Sequence, residues 1–169
     1  MSVYTSIEQD ELETFLLNYQ VGELVDYAGI SDGIENTNYF VNTSQGRYVL
    51  TLFEELTAAE LPYFLDLMAF LAEHDVPSAH PIADNKGAFL RTLKGKPAAP
   101  VIRLPGKGIK QLNATQCHAL GESLGTLHAV SHLFTPRRDN PRGPTWWHAM
   151  SSKLDDKLSS TERKLLNAE

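Results

Sequence analysis

A short run of glycine and small polar residues is the segment best suited to bind an anion. Residues 29–33 have the sequence GISDG, with a glycine at each end of the run. Its last three residues are Ser31, Asp32 and Gly33. Glycine permits turns that aim several backbone amide hydrogens at one point, and phosphate is a common ligand of such turns. An ordinary turn between two strands would use the same residues, so the run alone is weak evidence for phosphate binding.

Phosphoryl transfer also needs a cation near the phosphates and a surface for the nucleotide base. The chain has no G-x-x-x-x-G-K-[ST] sequence, which excludes a P-loop enzyme. No histidine is followed two residues later by aspartate, so the H-x-D catalytic sequence of protein kinases is missing as well. We therefore predict no catalytic residue and no metal ligand within these 169 residues.

The elements expected to position the glycine run are a helix and three strands. Apolar residues at helical spacing predict a helix over residues 6–19, with Thr5 and Glu8 at capping-box spacing. β-Branched and aromatic residues then predict three consecutive antiparallel strands. These strands cover residues 24–28, 38–43 and 48–53, and residues 44–46 supply the tight turn before the third.

A long core-facing helix is predicted over residues 58–73, with Thr57 as its cap. A pair of short strands is expected within residues 81–93, turning at residues 85–87, and a last strand at residues 99–104. The predicted fold class is α+β, with an antiparallel N-lobe that we expect to be five-stranded, one strand fewer than the six segments named, and that contains one long helix.

The pattern changes after the last strand, where a Pro-Gly-Lys-Gly sequence interrupts it and helical periodicity follows. We predict a nucleotide-binding N-lobe at residues 1–104, and a hinge with the start of a helical C-lobe at residues 105–169. The first C-lobe helix begins at an Asn113–Gln116 cap and buries Cys117 on a core face. A last helix, capped by Ser159 and Glu162, reaches residue 169 without a stop signal, which predicts a truncated C-lobe.

Composition narrows the class of partner. The formal net charge of −6 disfavours nucleic acid and anionic membranes, because both attract basic surfaces. A single cysteine excludes an internal disulfide, and the acidic N-terminus does not resemble a signal peptide. We therefore expect a cytoplasmic enzyme of a small-molecule substrate, with no nucleic-acid partner and no membrane partner.

Several segments together resemble one family. They are GISDGIENTNYFV, GRYVLTLFE, ELPYFLDLMAFLAEHDVP, RLPGKG, ALGESLGTLH and NPRGPTWW, and they extend along the whole chain. In these segments the chain resembles the amino-terminal part of the homoserine kinases that share the aminoglycoside phosphotransferase and choline kinase fold. The resemblance implies a protein-kinase-like two-lobe fold whose H-x-D loop follows residue 169.

The resemblance also implies a nucleotide site. It places Ser31, Asp32 and Gly33 over the phosphates, with Asn36 and Asn38 entering the next strand, although both asparagines also suit a simple turn. The third strand of the family carries a Lys or Arg, and Thr51 stands at that place here.

That departure puts the usual Lys–Glu ion pair in doubt, and Glu60 could simply be a solvated acid in the first turn of its helix. Either Arg47 or Arg91 could supply the missing cation. The hinge would bind adenine through the backbone beside Arg103 and Leu104, although the same residues suit an ordinary buried strand.

For the acceptor substrate, the proline-rich loop TPRRDNPRGP offers arginines that could hold a carboxylate bidentately, among them Arg138 and Arg142, although a solvated loop would have the same composition. His128 and the Trp146–Trp147 pair match family positions, and we expect structural roles for them.

Taken together, the resemblance implies an ATP-dependent phosphotransferase that uses Mg²⁺ and phosphorylates the hydroxyl of L-homoserine in threonine biosynthesis. This chain would be its amino-terminal part and inactive alone. A kinase for another small hydroxylated metabolite or an aminoglycoside, and a non-catalytic nucleotide-binding module, remain open as alternatives.

Overall fold

The computed structural model describes residues 3–166, without the side chain of Asp155. The first part of the chain contains α1 (Gln9–Leu16), β1 (Leu24–Gly29), β2 (Asn36–Thr43), β3 (Gly46–Phe53), α2 (Leu61–Glu73), β4 (Arg91–Leu93), β5 (Lys96–Ile102) and α3 (Ala114–Ser131). The second part contains α4 (Pro144–Leu154), a 3₁₀ turn (Asp155–Lys157) and α5 (Ser160–Leu166). The chain divides into two compact units, Met1–Pro136 and Arg137–Glu169. None of the helices in the described part is long and apolar enough to cross a membrane.

The five strands form one antiparallel sheet in the order β1-β2-β3-β5-β4. Its register places Asn38, Thr51 and Ala99 side by side on three neighbouring strands. Directly opposed residues of antiparallel strands point to the same face, so this row belongs to one face and the adjacent row to the other. The α+β class and the five-stranded antiparallel N-lobe predicted from the sequence are confirmed.

One face of the sheet, which we call the α1 face, is closed by helix α1. Its strand residues belong to the same buried apolar cluster as the inner side of the helix. The cluster includes Leu12, Phe15 and Leu16 from the helix and Tyr39, Val41, Leu50, Leu52 and Ala98 from the sheet. Burial of one leucine side chain stabilises the fold by about 1.5–3 kcal/mol, so this cluster is the main core of the sheet.

The opposite face, which we call the polar face, carries Asn38, Phe40 and Asn42 from β2 and Val49 and Thr51 from β3. These five side chains are half-buried. The alternation along β2 is complete, because Thr37, Tyr39, Val41 and Thr43 are buried and the residues between them are not. The polar face is therefore the side of the sheet that retains accessible polar groups.

The first predicted helix is shorter than the sequence pattern indicated. It begins at Gln9, and its box pairs Glu8 with Glu11, whose carboxylate accepts the Glu8 N–H at 2.9 Å. Thr5 is not the cap because its hydroxyl donates instead to Glu54 at 2.8 Å. Tertiary hydrogen bonds thus hold the residues before Glu8 along the sheet.

The long helix α2 also starts later than predicted, at Leu61, with Pro62 in its first turn. Thr57 does not cap it. The N–H and hydroxyl of Thr57 both donate to the Glu60 carboxylate, at 3.1 and 2.8 Å, which closes a separate turn before the helix. Proline is tolerated in the first helical turn because amides there have no helical partner.

Of the strand pair predicted within residues 81–93, only β4 forms, and Pro81 makes a single bridge to Val101 in place of the other strand. Residues 84–88 form a turn in which the Asp84 carboxylate accepts the N–H groups of Lys86 and Ala88, at 2.8 and 2.9 Å. The hairpin lies further on, between β4 and β5, and turns at Lys94 and Gly95, whose φ angles are +54° and +75°. Two positive φ angles suit the tight turn that matches the strand twist.

The last strand is Lys96–Ile102 rather than residues 99–104. Pro97 obscured its first half, because proline cannot donate to a strand ladder and usually argues against a central strand. A further correction concerns α3, which the sequence assigned to a core with Cys117 inside. Cys117 is exposed, and α3 has no buried residue. Leu120 and Leu124 are 57% and 49% exposed, so no described element covers this helix face.

Candidate nucleotide-binding site

The glycine run forms the connection between β1 and β2. Ile30 N–H donates to Asn38 O at 2.8 Å, which extends the pairing of the strands into the loop. Beyond it Ser31, Asp32 and Gly33 are exposed, and Gly33 has φ +120°. That backbone conformation is open almost only to glycine. The nearest atom to a hypothetical Gly33 Cβ is Asn38 Nδ2 at 3.8 Å, so backbone strain rather than crowding requires the glycine.

The two asparagines after the loop tie its end to the sheet. The Asn36 side-chain oxygen accepts the Glu54 N–H at 3.4 Å, which fastens the start of β2 to the end of β3. Asn38 Oδ1 accepts a hydrogen bond from the Thr51 hydroxyl at 2.7 Å, and Asn38 Nδ2 donates to Asn36 O at 3.4 Å. The structure thus brings Asn36, Asn38 and Thr51 together directly behind the loop.

Thr51, where the family resemblance led us to expect a cation, makes a neutral hydrogen bond with Asn38. The cations of the neighbouring hairpin are already paired with carboxylates. Arg91 Nη1 lies 2.6 Å from Asp84 Oδ2, Lys94 Nζ lies 2.7 Å from Glu11 Oε1, and Lys96 contacts Glu54. Arg91, one of the two arginines that could supply the expected cation, is thus already paired with Asp84.

Asp84 is an anchor rather than a catalytic acid. Its side chain is only 2% exposed. Hydrogen bonds from the Ala88 amide and from Arg91 hold the pKa of the Asp84 carboxyl below its usual value, against the effect of burial. Asp84 and Arg91 together form a stable ionic link at the edge of the sheet.

Arg103 contributes to the polar face through its side chain, which the sequence reading did not anticipate. Its guanidinium carbon lies 3.9 Å from the centroid of the Phe40 ring. Arg103 N–H donates to Arg47 O at 3.0 Å, so this amide is engaged within the sheet. β5 ends at Ile102, and Leu104 follows with 47% of its surface exposed. The hinge segment thus presents a stacked cation and an exposed apolar side chain.

Glu60 does not take part in this group. Its carboxylate accepts the hydrogen bonds of Thr57, and the residue is exposed just before α2. Arg47 is also exposed and lies opposite Asn42 at the far end of β3 from the loop. In the described residues, no three His, Cys, Asp or Glu side chains form a group that could hold a metal ion.

The second unit contains the residues expected to meet the acceptor. Arg142 lies with its guanidinium carbon 5.9 Å from the Trp146 ring centroid, and its N–H donates to Asn140 Oδ1 at 2.9 Å. Arg138 is half-buried, whereas Trp146 and Trp147 are 40% and 65% exposed. His128, in the first unit, is exposed in the last turn of α3, where a cation suits the helix dipole.

A buried polar cluster was missed by sequence reasoning. Thr37 is fully buried, and its hydroxyl donates to Glu54 Oε1 at 2.6 Å. Burial acts to raise the pKa of the Glu54 carboxyl, but hydrogen bonds from Lys96, Thr37 and Thr5 outweigh it and hold the pKa below its usual value. The available signal was the alternation in β2, which places a threonine at a core position.

The fold agrees with the comparisons with known proteins. The family model of the phosphotransferase enzyme family matches residues 26–169. The chain belongs to this family. It is 44% identical over 169 residues to a homoserine kinase of Methylobacillus flagellatus. This match covers all of this chain and 53% of that protein. A homoserine kinase of Caulobacter sp. strain K31 is 45% identical over 154 residues, covering 90% of this chain and 48% of that protein. The chain thus spans about half the length of the curated relatives it matches.

Solved structures give the same fold. A spectinomycin phosphotransferase in complex with ADP and spectinomycin superposes with a TM-score of 0.67 at 14% identity, covering 92% of this chain and 48% of that one. The amicoumacin kinase hAmiN in complex with AMP-PNP, Ca²⁺ and Ami gives a TM-score of 0.70 at 18% identity, covering 96% and 51%. The kinase-like fold implied by the sequence resemblance is confirmed.

Proposed function

We propose that the chain is the nucleotide-binding part of an ATP-dependent kinase that phosphorylates the side-chain hydroxyl of L-homoserine, a step toward threonine. One observation carries the proposal: a glycine loop with a positive φ at Gly33 adjoins a half-buried polar sheet face, in a chain matched along its whole length by homoserine kinases. Its acidic composition and single cysteine suit the cytoplasm.

In this proposal ATP lies along the polar face. The backbone amides of Ser31, Asp32 and Gly33 bind the phosphates. The loop is exposed, and the positive φ at Gly33 suits a turn whose amide hydrogens point toward an anion. Asn36 and Thr51 fix the base of the loop. The purine stacks near Arg103, whose guanidinium on Phe40 extends a flat surface, and the backbone beside Leu104 offers hydrogen bonds.

The reaction is a displacement at phosphorus. A bond forms between the homoserine hydroxyl oxygen and the γ-phosphorus, while the bond from that phosphorus to the β,γ-bridging oxygen breaks and ADP leaves. The hydroxyl proton passes to a base that the 169 residues do not supply, since they contain no H-x-D sequence. This chain therefore binds and orients ATP but does not complete the transfer.

Magnesium accompanies ATP in this class of reaction and neutralises charge on the phosphates. The described residues contain no group of three His, Cys, Asp or Glu side chains that could hold a metal ion by themselves. We therefore assign no step to the metal within this chain. The carboxylate of homoserine is assigned to Arg138 and Arg142, because guanidinium groups bind carboxylates bidentately and Arg142 is already oriented beside Trp146.

A second candidate is a kinase for another small hydroxylated compound. Structural neighbours that carry spectinomycin or Ami in their complexes have the same fold, and a fold alone does not choose the acceptor. A third candidate is a nucleotide-binding module without turnover, which the neutral Thr51 favours because it removes a phosphate-binding cation.

Two measurements separate these functions. Calorimetry of the 169-residue chain with ATP is expected to show binding, and absence of binding by a chain that is folded by circular dichroism contradicts the proposal. The complete gene product is then assayed for ADP formation with L-homoserine, choline and an aminoglycoside. Homoserine-dependent turnover supports the first candidate, turnover with another acceptor supports the second, and binding without turnover supports the third. The 169-residue chain alone is expected to form no ADP.

A further inference from the structure

Residues Val3–Thr5, which we call the N-terminal strap, run beside the start of β2. The N–H groups of Tyr4 and Thr5 both donate to Thr37 Oγ1, at 2.9 and 3.1 Å. The Tyr4 hydroxyl donates to Ile34 O at 3.1 Å, and Ile34 belongs to the exposed loop between β1 and β2. The strap is therefore attached to the sheet at one point and to the glycine loop at another.

The polar groups that attach the strap to the sheet all have hydrogen-bond partners. Thr37 Oγ1 accepts hydrogen bonds from two backbone amides and donates one to the Glu54 carboxylate. The Thr37 hydroxyl thereby uses its whole hydrogen-bonding capacity. The Thr5 hydroxyl donates to the same carboxylate, and Lys96 Nζ donates to Thr5 Oγ1 at 2.9 Å. Buried polar networks of this kind fix one geometry because any displacement leaves a group without a partner. The backbone of Tyr4 is consequently held in a defined place, although 58% of the residue's surface is exposed.

The strap also contacts the beginning of the loop. A Cβ built on Gly29 would lie 2.8 Å from Val3 Cγ2, so the valine occupies the space that a side chain at residue 29 would need. Gly29 itself does not have a positive φ. The strap thus contacts the loop at both of its ends, through Val3 at Gly29 and through Tyr4 at Ile34.

We propose that Tyr4 is a positioning residue for phosphate binding: its hydroxyl, held by the strap, fixes the Ile34 carbonyl and so orders the amides of Ser31, Asp32 and Gly33. The inference rests on the proposed function for its ligand, since ATP is the anion considered. Tyr4 itself does not touch the phosphates. Its role is to reduce the ordering cost that a mobile loop would incur on binding.

Tyr4→Phe tests the inference, with Tyr27→Phe as a matched control. The Tyr27 hydroxyl donates to Ile7 O at 3.0 Å, which is a hydrogen bond of the same kind and of similar length whose acceptor lies outside the loop. One net hydrogen bond corresponds to about a two- to tenfold change in Kd. We expect Tyr4→Phe to raise the Kd for ATP by about that factor, to leave the Kd for adenosine unchanged, and Tyr27→Phe to change neither.

Equal effects of the two variants on ATP, or parallel weakening of ATP and adenosine by Tyr4→Phe, overturn the positioning role. Backbone ¹⁵N order parameters of Ser31, Asp32 and Gly33 provide a readout that needs no nucleotide. They are expected to fall in Tyr4→Phe and to stay constant in Tyr27→Phe. Unchanged order parameters in Tyr4→Phe contradict the inference even if ATP binds. Failure of the unsubstituted chain to bind ATP contradicts the proposed function, and the order parameters still decide whether the strap orders the loop.

Discussion

The two faces of the sheet are built from the same strands but differ in what covers them. On the α1 face, Leu50 and Leu52 are fully buried under helix α1. On the polar face, Asn38 and Thr51 are half-buried, and a hydrogen bond joins their side chains between the neighbouring strands β2 and β3. Because the side chains alternate, each strand contributes to both faces at once. The difference implies that the residues that form the core and the residues proposed to bind ATP alternate along the strands, so the two groups can be substituted separately.

The strongest test of this separation is Leu50→Ala. Loss of a buried leucine leaves a cavity in the α1 cluster, and such substitutions lower the free energy of unfolding by about 2–5 kcal/mol. The adjacent Val49→Ala, on the half-buried polar face, is expected to cost much less. Chemical denaturation of both variants measures the two values. Equal destabilisation would show that the polar face is as much a core as the α1 face.

A smaller effect, of a different kind, is expected from Gly33→Ala. The φ angle of +120° strains any residue with a Cβ by about 1–3 kcal/mol, and the loop relieves that strain by changing its conformation. ATP affinity should therefore fall while the free energy of unfolding changes little, because the loop is exposed. Gly87→Ala is the control, since Gly87 has φ +84° in a different exposed turn. Its effect on ATP affinity should be absent, and an equal loss in both variants would refute a specific role of the loop.

Acid should lower the free energy of unfolding of the chain by protonating the Glu54 carboxylate. The Glu54 carboxyl has a lowered pKa in the folded chain, so the unfolded chain binds more protons at mildly acidic pH. The stability contributed by Glu54 is fully present above its ordinary pKa of 4.5 and is lost as the pH falls through the lower folded value. Asp84 acts in the same direction.

Glu54→Gln separates the contribution of this carboxylate. The variant should show a smaller loss of stability between pH 6 and pH 3 than the unsubstituted chain, because one proton-linked group has been removed. Urea denaturation at each pH provides the measurement. An unchanged pH dependence in Glu54→Gln would assign the acid sensitivity to Asp84 and to other carboxylates.

The sequence predicts those parts of the structure that depend on residues close together in the chain. The strands β2 and β3 follow from their β-branched and aromatic residues. The Asn113–Gln116 and Ser159–Glu162 boxes form as predicted, with bonds of 2.9 Å from Gln116 N to Asn113 Oδ1 and from Ser159 N to Glu162 Oε2. These features depend on residues a few positions apart. The hairpin at Lys94–Gly95 was missed because the prolines of β5 argue against a central strand.

The candidate site shows the same limit. The loop and its glycine were visible as a local pattern, whereas the bond from Thr5 to Glu54 joins residues 49 positions apart. The placement of Arg103 on Phe40 likewise depends on the register of strands that are not neighbours in sequence. The buried position of Cys117 was predicted from an apolar helix face that the described residues leave exposed. Roles for Arg138 and Arg142 remain predictions.

The smallest effect expected is a gain from Thr51→Lys on the polar face. The substitution places a cation where the family resemblance leads us to expect one, and it removes the hydroxyl that donates to Asn38. Partly exposed charge pairs contribute about 0.2–1 kcal/mol, so the Kd for ATP should fall by no more than about fivefold. Raising the salt concentration should reduce the gain, because partly exposed charges are screened. Titration calorimetry at two salt concentrations measures both effects.

Thr51→Met is the matched control, because it extends the side chain by a similar length without adding charge and also removes the hydrogen bond to Asn38. It should bind ATP no better than the unsubstituted chain. If Thr51→Met and Thr51→Lys change the affinity equally, the gain comes from side-chain volume and not from charge. If Thr51→Lys weakens ATP binding, then the hydrogen bond that joins β2 to β3 matters more to the site than a cation does, and the polar face binds ATP through neutral groups and backbone amides.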